Sequence, residues 1–173
     1  MSKQCLVIPT EILLQKKFTG FAPKYFHDYL SIINNTEYQK FLLRYETSIV
    51  QDKPAEKDQN YQQIIPYVVV MQNKKVFLYE RPVKGATDES RYASKLSIGV
   101  GGHIEPIDEL DDEKDIIIAS LKREIEEELG YREELLVTHK GYINFSPTVI
   151  ETADQELDSV HFGLIFVAEI KEH

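Results

Sequence analysis

From Ile64 to Glu80, apolar runs alternate with short polar breaks. The segments "IIPYVVVM" and "KVFLYE" are rich in β-branched and aromatic residues and are separated by "QNK". This pattern predicts two strands joined by a hairpin turn near Asn73, because such side chains suit a pleated surface and Asn tolerates the backbone of a tight turn. The polar stretch "RPVKGATDESRYASK" reads as a loop, and "LSIGVGGHIEP" as a third extended segment that opens into a glycine-rich turn. A helix follows from about Asp112 to Leu129, with Asp112 as N-cap and Gly130 as the left-handed residue that ends it. Extended segments around "ELLVTHKGYINF" and "VHFGLIFVAEI" come next, with the acidic loop "ETADQELD" between them.

Ahead of this block the rhythm is different. "CLVIPTEILL" reads as a short strand interrupted by Pro9, which suits an edge or a strand end. "PKYFHDYLSII" carries apolar residues at helical spacing, and "TEYQKFLLRYE" places Thr36 and Gln39 in a capping-box arrangement before a second helical patch. "QDKPAEKDQN" is polar throughout and reads as a linker or an exposed loop. The expected architecture is therefore α/β: a mixed β-sheet with helices packed on its faces, plus an N-terminal α-helical extension. Residues 1–60 would form the strand and helical extension and residues 61–173 the main domain, in one compact unit overall.

The helix carries the first chemical signal. At about 100° per residue, Ile117, Ile118, Leu121, Ile125 and Leu129 share one stripe, which should face the sheet. Glu126 lies opposite that stripe, whereas Glu128 falls inside the apolar arc, with Glu124 and Glu127 at its border. Carboxylates at i, i+3 and i+4 repel each other. Arg123 can serve one of them, and no Lys or Arg nearby in the sequence is placed to serve all three. Two readings follow: a solvated acidic face, or a site for a hard divalent cation, Mg²⁺ or Mn²⁺, which prefers oxygen ligands. Residues 105–128 hold 11 of the 29 acidic residues, a local excess that favours the cation. Gly99, Gly101 and Gly102 precede this acidic segment and let backbone carbonyls approach an ion or ligand, although a plain structural turn uses the same residues.

Bulk properties narrow the partners. A net charge of -9 disfavours nucleic acid and anionic membrane surfaces. A phosphate-bearing ligand would need a cation between itself and the acids. The single cysteine, Cys5, excludes an intramolecular disulfide and a thiolate metal cluster, and reads as a buried strand residue. No apolar run approaches membrane-span length and the first residues do not form a signal peptide, so a cytoplasmic protein is expected.

"REIEEELGY", Arg123 to Tyr131, resembles the second half of the Nudix box, R-E-U-x-E-E-x-G-U, where U is a bulky apolar residue. "GGHIEP" is similar to the glycine turn that opens the same box. Five residues separate Gly102 from Asp108, as in the pattern, but fourteen separate Asp108 from Arg123, seven more than the pattern has. Aligning Asp115 instead restores the second spacing and moves the seven extra residues to the glycine side. In either register Asp stands where the box has Glu. The resemblance covers residues 64–169 and implies the Nudix sandwich fold and hydrolysis of a diphosphate linkage in a nucleoside diphosphate derivative or related compound, with Mg²⁺ or Mn²⁺ as cofactor. Carried over, Gly101 through its carbonyl, Glu124, Glu127 and Glu128 would bind metal. Glu124 and Arg123 would be the catalytic pair, Glu124 acting on the attacking water or on a second ion and Arg123 holding a helix carboxylate in place. The family's sandwich usually closes with a further strand and helix after this point; the N-terminal helices, a partner chain in a homodimer or further sequence could take their place.

Asp in place of the box Glu, together with the insertion, also fits a non-catalytic Nudix-like module that binds a nucleotide or a protein. A third reading is an interaction domain whose acidic helix meets a basic partner. Glu151, Glu156 and Asp158 are positional candidates for an extra carboxylate. His103, Tyr67, Arg81 and Phe145 are positional candidates for substrate contact, each with an ordinary turn or core role as the alternative.

Overall fold

The computed structural model describes residues 4–45, 53–80, 96–111, 115–133, 135–144 and 158–170. The elements run β1 (Gln4–Pro9), α1 (Thr10–Leu13), β2 (Gly20–Pro23), α2 (Tyr29–Ile33), β3 (Lys40–Leu43), a 3-10 turn (Ala55–Lys57), β4 (Tyr61–Gln72), β5 (Lys75–Val76) and β6 (Tyr79–Glu80). They continue with β7 (Leu96–Ser97), β8 (Gly99–Gly101), a second 3-10 turn (Pro106–Leu110), α3 (Ile116–Leu129), β9 (Leu136–Asn144) and β10 (His161–Glu169). The main sheet has the order β2-β9-β10-β4-β1-β3, with β5 and β8 also paired to β4. Its two long central strands, β4 and β10, are parallel and in register from His161↔Gln63 to Glu169↔Met71. The other pairings in this sheet are antiparallel, so the sheet is mixed.

Alternation along the central strands explains where the core lies. Ile64, Val68 and Val70 of β4 and Phe162, Leu164, Phe166 and Ala168 of β10 point to one side and are buried together with Leu6, Ile8, Tyr142 and the α3 residues Ile117, Leu121 and Ile125. The three α3 positions are spaced by four, one stripe of an amphipathic helix. Each fully buried side chain of this kind contributes roughly 1.5–3 kcal/mol. Asn73 and Lys74 both have positive φ, 51° and 62°, which is the turn that the β4–β5 hairpin requires. Cys5 is a buried strand residue.

The N-terminal α-helical extension is not what the chain forms. It begins with a strand, and the second helical patch becomes β3, paired antiparallel with β1 from Gln4↔Leu43 to Val7↔Lys40. Tyr38, Phe41 and Leu42 satisfy a helical spacing, but they equally suit an edge strand, and pairing to β1 decides between the two. Gln39 does not cap a helix; its amide donates to the Ile33 carbonyl at 2.7 Å. The first patch is helical only over Tyr29–Ile33, where the Asp28 side chain accepts from Ser31 N at 3.2 Å, while Pro23 ends β2. The polar stretch before β4 is more than a linker. Ala55 and Glu56 are buried, and Glu56 pairs with Arg44 at 2.6 Å.

Candidate active site

Strand β8 lays the glycine turn against β4, and α3 packs beside it. A Cβ on Gly101 would lie 2.3 Å from the Pro66 carbonyl oxygen, and a Cβ on Gly102 would lie 2.3 Å from Glu124 Oε1. The absence of side chains at these two positions therefore does two separate jobs. Gly101 lets two backbones approach, and Gly102 makes room for a carboxylate.

Helix α3 starts at Asp115, whose side chain accepts from Ile117 N at 2.9 Å. Asp112, the expected N-cap, lies outside the described residues. Gly130 ends the helix with φ 67°, and its N–H donates to the Glu126 carbonyl. From this helix Arg123 reaches back to the turn. Its Nε donates to Asp108 Oδ1 at 2.8 Å and its Nη2 to Asp108 Oδ2 at 3.1 Å. Nη2 also donates to the His103 carbonyl at 2.9 Å, and Nη1 donates to Glu124 Oε1 at 2.7 Å. Asp108 is buried, and its Oδ2 further accepts from Glu105 N at 2.8 Å. Of the two aspartates that the spacing left open, Asp108 meets Arg123 and Asp115 caps the helix. The Asp108 carboxylate takes both arms of the guanidinium fork despite being one methylene shorter than Glu.

The acidic residues differ in environment. The Glu124 side chain is 12% exposed and the Glu127 side chain 58% exposed. Glu127 Oε1 lies 3.6 Å from Arg123 Nη1, so Arg123 faces two helix carboxylates rather than one. Burial pushes the Glu124 carboxyl above its ordinary pKa, Arg123 pulls it back, and the fields of Glu127 and Glu128 push it up again. Burial weakens the Arg123 guanidinium's hold on its proton, yet Asp108 and Glu124 more than offset this and leave it fully charged.

Glu128 is exposed, not buried in the apolar arc. Its Oε2 accepts from the Tyr79 hydroxyl at 2.5 Å, and the same hydroxyl lies 3.2 Å from the Gly99 carbonyl. A helical wheel gives the direction of a side chain but not its neighbour, and here the neighbour is the polar tip of a β6 tyrosine. Nothing in the local sequence marked Tyr79 for this role. His103 turns its ring toward Gln63 Oε1, 2.9 Å away, and the Tyr67 hydroxyl meets Ser97 Oγ at 3.3 Å. Arg81, Phe145, Glu151 and Glu156 lie outside the described residues, and Asp158 follows directly after that segment.

Glu124, seated under Gly102, and the exposed Glu127 and Glu128 offer carboxylate oxygens from the C-terminal end of α3, the donor type that a hard divalent cation takes together with carbonyl oxygen and water.

No family model matches the chain. The protein YmaB of Bacillus subtilis (strain 168) is 29% identical over 175 residues, an alignment covering 99% of this chain and 77% of YmaB. The crystal structure of Tm1382, provisionally classed as a Nudix hydrolase, superposes with a TM-score of 0.63 at 28% identity, over 96% of this chain and 76% of that one. Among the described residues no helix is long and apolar enough to cross a membrane. Across nearly the whole chain the mixed sheet and its helices thus share the fold of Tm1382, a protein provisionally classed as a Nudix hydrolase.

Proposed function

We propose that this chain is a metal-dependent hydrolase that cleaves a diphosphate linkage in a nucleoside diphosphate derivative or related compound. The observation that carries this reading is the Arg123 hub, which ties buried Asp108 on the turn to Glu124 on the helix through bonds of 2.7–3.1 Å. Such a hub fixes the position of one carboxylate while leaving Glu127 and Glu128 open to solvent. Both Asp108 oxygens engage Arg123, so Asp at this position supports the contact.

Glu124, Glu127, Glu128 and the Gly101 carbonyl would hold Mg²⁺ or Mn²⁺. A bound dication of this kind polarises phosphoryl oxygens and lowers the pKa of coordinated water. Arg123 orients Glu124 and keeps it from turning toward solvent. Glu124, with its pKa raised by burial, is better matched to accept a proton from water near neutral pH than an ordinary carboxylate. Tyr79 restrains Glu128 at the rim of the site.

The test is a panel of nucleoside diphosphate derivatives incubated with Mg²⁺ or Mn²⁺ and assayed for phosphate-containing products. Turnover by the wild type, reduced by orders of magnitude in Glu127→Gln and Glu128→Gln with the fold retained, supports the assignment. Binding without turnover by the folded wild type would point instead to a non-catalytic nucleotide-binding module.

A further inference from the structure

Glu56, His103 and His161 come from three distant parts of the chain: the 3-10 turn before β4, the residue after the glycines and the first residue of β10. One donor atom from each lies within 4.8 Å of the others. They gather at the start of the parallel β4/β10 pair, where His161 stands opposite Gln63 in the register. The two imidazole rings meet edge to face with centroids 5.5 Å apart.

Unmet polar groups single this cluster out. Glu56 is 6% exposed. Arg44 Nε donates to its Oε1 at 2.6 Å, but Oε2, which lies 3.8 Å from His161 Nε2, has no hydrogen-bond partner. Gln63 is 0% exposed, and its Nε2 also lacks a partner. Native chains rarely bury a carboxylate oxygen or an amide N–H without satisfying it. Here one unmet acceptor and one unmet donor lie beside two imidazoles. A cation would take the lone pair of Glu56 Oε2.

We propose that Glu56, His103 and His161 form a second cation site, for a transition-metal dication of the zinc class, separate from the oxygen-only carboxylates of α3. Two imidazole nitrogens and one carboxylate suit zinc or cobalt far better than magnesium. Three protein ligands leave a coordination position for water. Arg44, bound to the other oxygen of Glu56, sets the orientation of that ligand. Cys5 is not a ligand. Its Sγ donates to Gln63 Oε1 at 3.4 Å, and it is not among the clustered donor atoms. A filled site would clip the 3-10 turn, the glycine turn and the head of β10 together.

The experiment uses the full chain stripped with EDTA and titrated with Co²⁺ in the presence of excess Mg²⁺, followed by equilibrium dialysis and visible absorption. One equivalent of cobalt is expected to be retained and then displaced by Zn²⁺. Glu56→Gln and His161→Gln should each weaken retention by on the order of 100-fold, whereas Glu127→Gln and Glu128→Gln should leave it in place. No retained cobalt in the folded wild type, or unchanged retention in both the Glu56 and His161 variants, overturns the proposal. If those variants do not fold, X-ray absorption at the cobalt edge of the wild type decides. Scattering from two imidazoles supports the site, and an oxygen-only shell refutes it.

Discussion

Substituting Ala at the two glycines beside the acidic helix should give opposite phenotypes. At Gly101 the added Cβ meets the backbone oxygen of Pro66 at 2.3 Å and the Tyr67 Cα at 2.9 Å. Backbone cannot rotate away, so β8 must separate from β4, which places Gly101→Ala at the upper end of the roughly 1–3 kcal/mol typical of overpacking. At Gly102 the same Cβ meets only the carboxylate end of Glu124, with Oε1 at 2.3 Å and the carboxyl carbon at 2.5 Å. That end can swing outward, but only by breaking its 2.7 Å bond to Arg123 Nη1, a charge-assisted contact worth roughly 1.5–3 kcal/mol. Part of this is regained by hydrating the displaced carboxylate, so about 1 kcal/mol remains as the expected loss of stability. For a chain of this size, 1 kcal/mol shifts Tm by about 2–4 °C. Thermal unfolding should therefore show a small shift for Gly102→Ala and a clearly larger one for Gly101→Ala. On the proposed function, turnover of a diphosphate substrate should fall at least tenfold in Gly102→Ala, because the carboxylate proposed to act on water would be moved. Full turnover in Gly102→Ala, with its Tm lowered as expected, would refute the placement of Glu124 in the reaction.

Other perturbations test separate contacts. Asp108→Ala leaves Arg123 partly buried without its main partner and should cost about 3–5 kcal/mol in urea unfolding; Asp108→Glu should recover part of it. Gly130→Ala forces a side chain into a backbone with φ 67° and should cost about 1–2 kcal/mol, with Gly130→Asn milder, as read by Tm. Burial raises the pKa of Glu124 in the folded state, so the fold binds its proton more tightly than the unfolded chain does. Its contribution is fully present below the ordinary carboxylate value of 4.5 and is lost as pH rises through the raised folded pKa. In EDTA, the stability of wild type relative to Glu124→Gln should therefore fall as pH rises through that window and then level off. A rising difference would contradict the burial of this group.

The parts of the fold written in local sequence were legible. Asn73 between two β-branched runs gave the hairpin, and the spacing of Ile117, Leu121 and Ile125 with Gly130 behind them gave α3 and its stop. The N-terminal region was not legible, because Phe41 and Leu42 satisfy both helical and strand patterns and only pairing with β1, more than thirty residues earlier, selects the strand. The crowding of Glu124, Glu127 and Glu128 was visible, yet which of them is buried was not. The cavity under Gly102 selects Glu124, and the hydroxyl of Tyr79 meets Glu128 at the surface. Spacing alone left Asp108 and Asp115 equivalent, and the reach of the Arg123 side chain separates them. Glu56 lay in what read as a plain polar linker, with no local signal that Arg44 and two histidines would surround it.

The grip of Arg123 on Asp108 has a practical corollary for protein engineering. Asp108 is anchored by the guanidinium and Asp115 by the first turn of the helix, so both ends of the intervening span are fixed independently of its length. Lengthening a loop costs little entropy, about 0.6 kcal/mol per doubling. A peptide tag or fluorophore acceptor sequence grafted after Leu110 should thus leave the carboxylates in register, making that span a convenient port for labelling the protein away from its acidic helix.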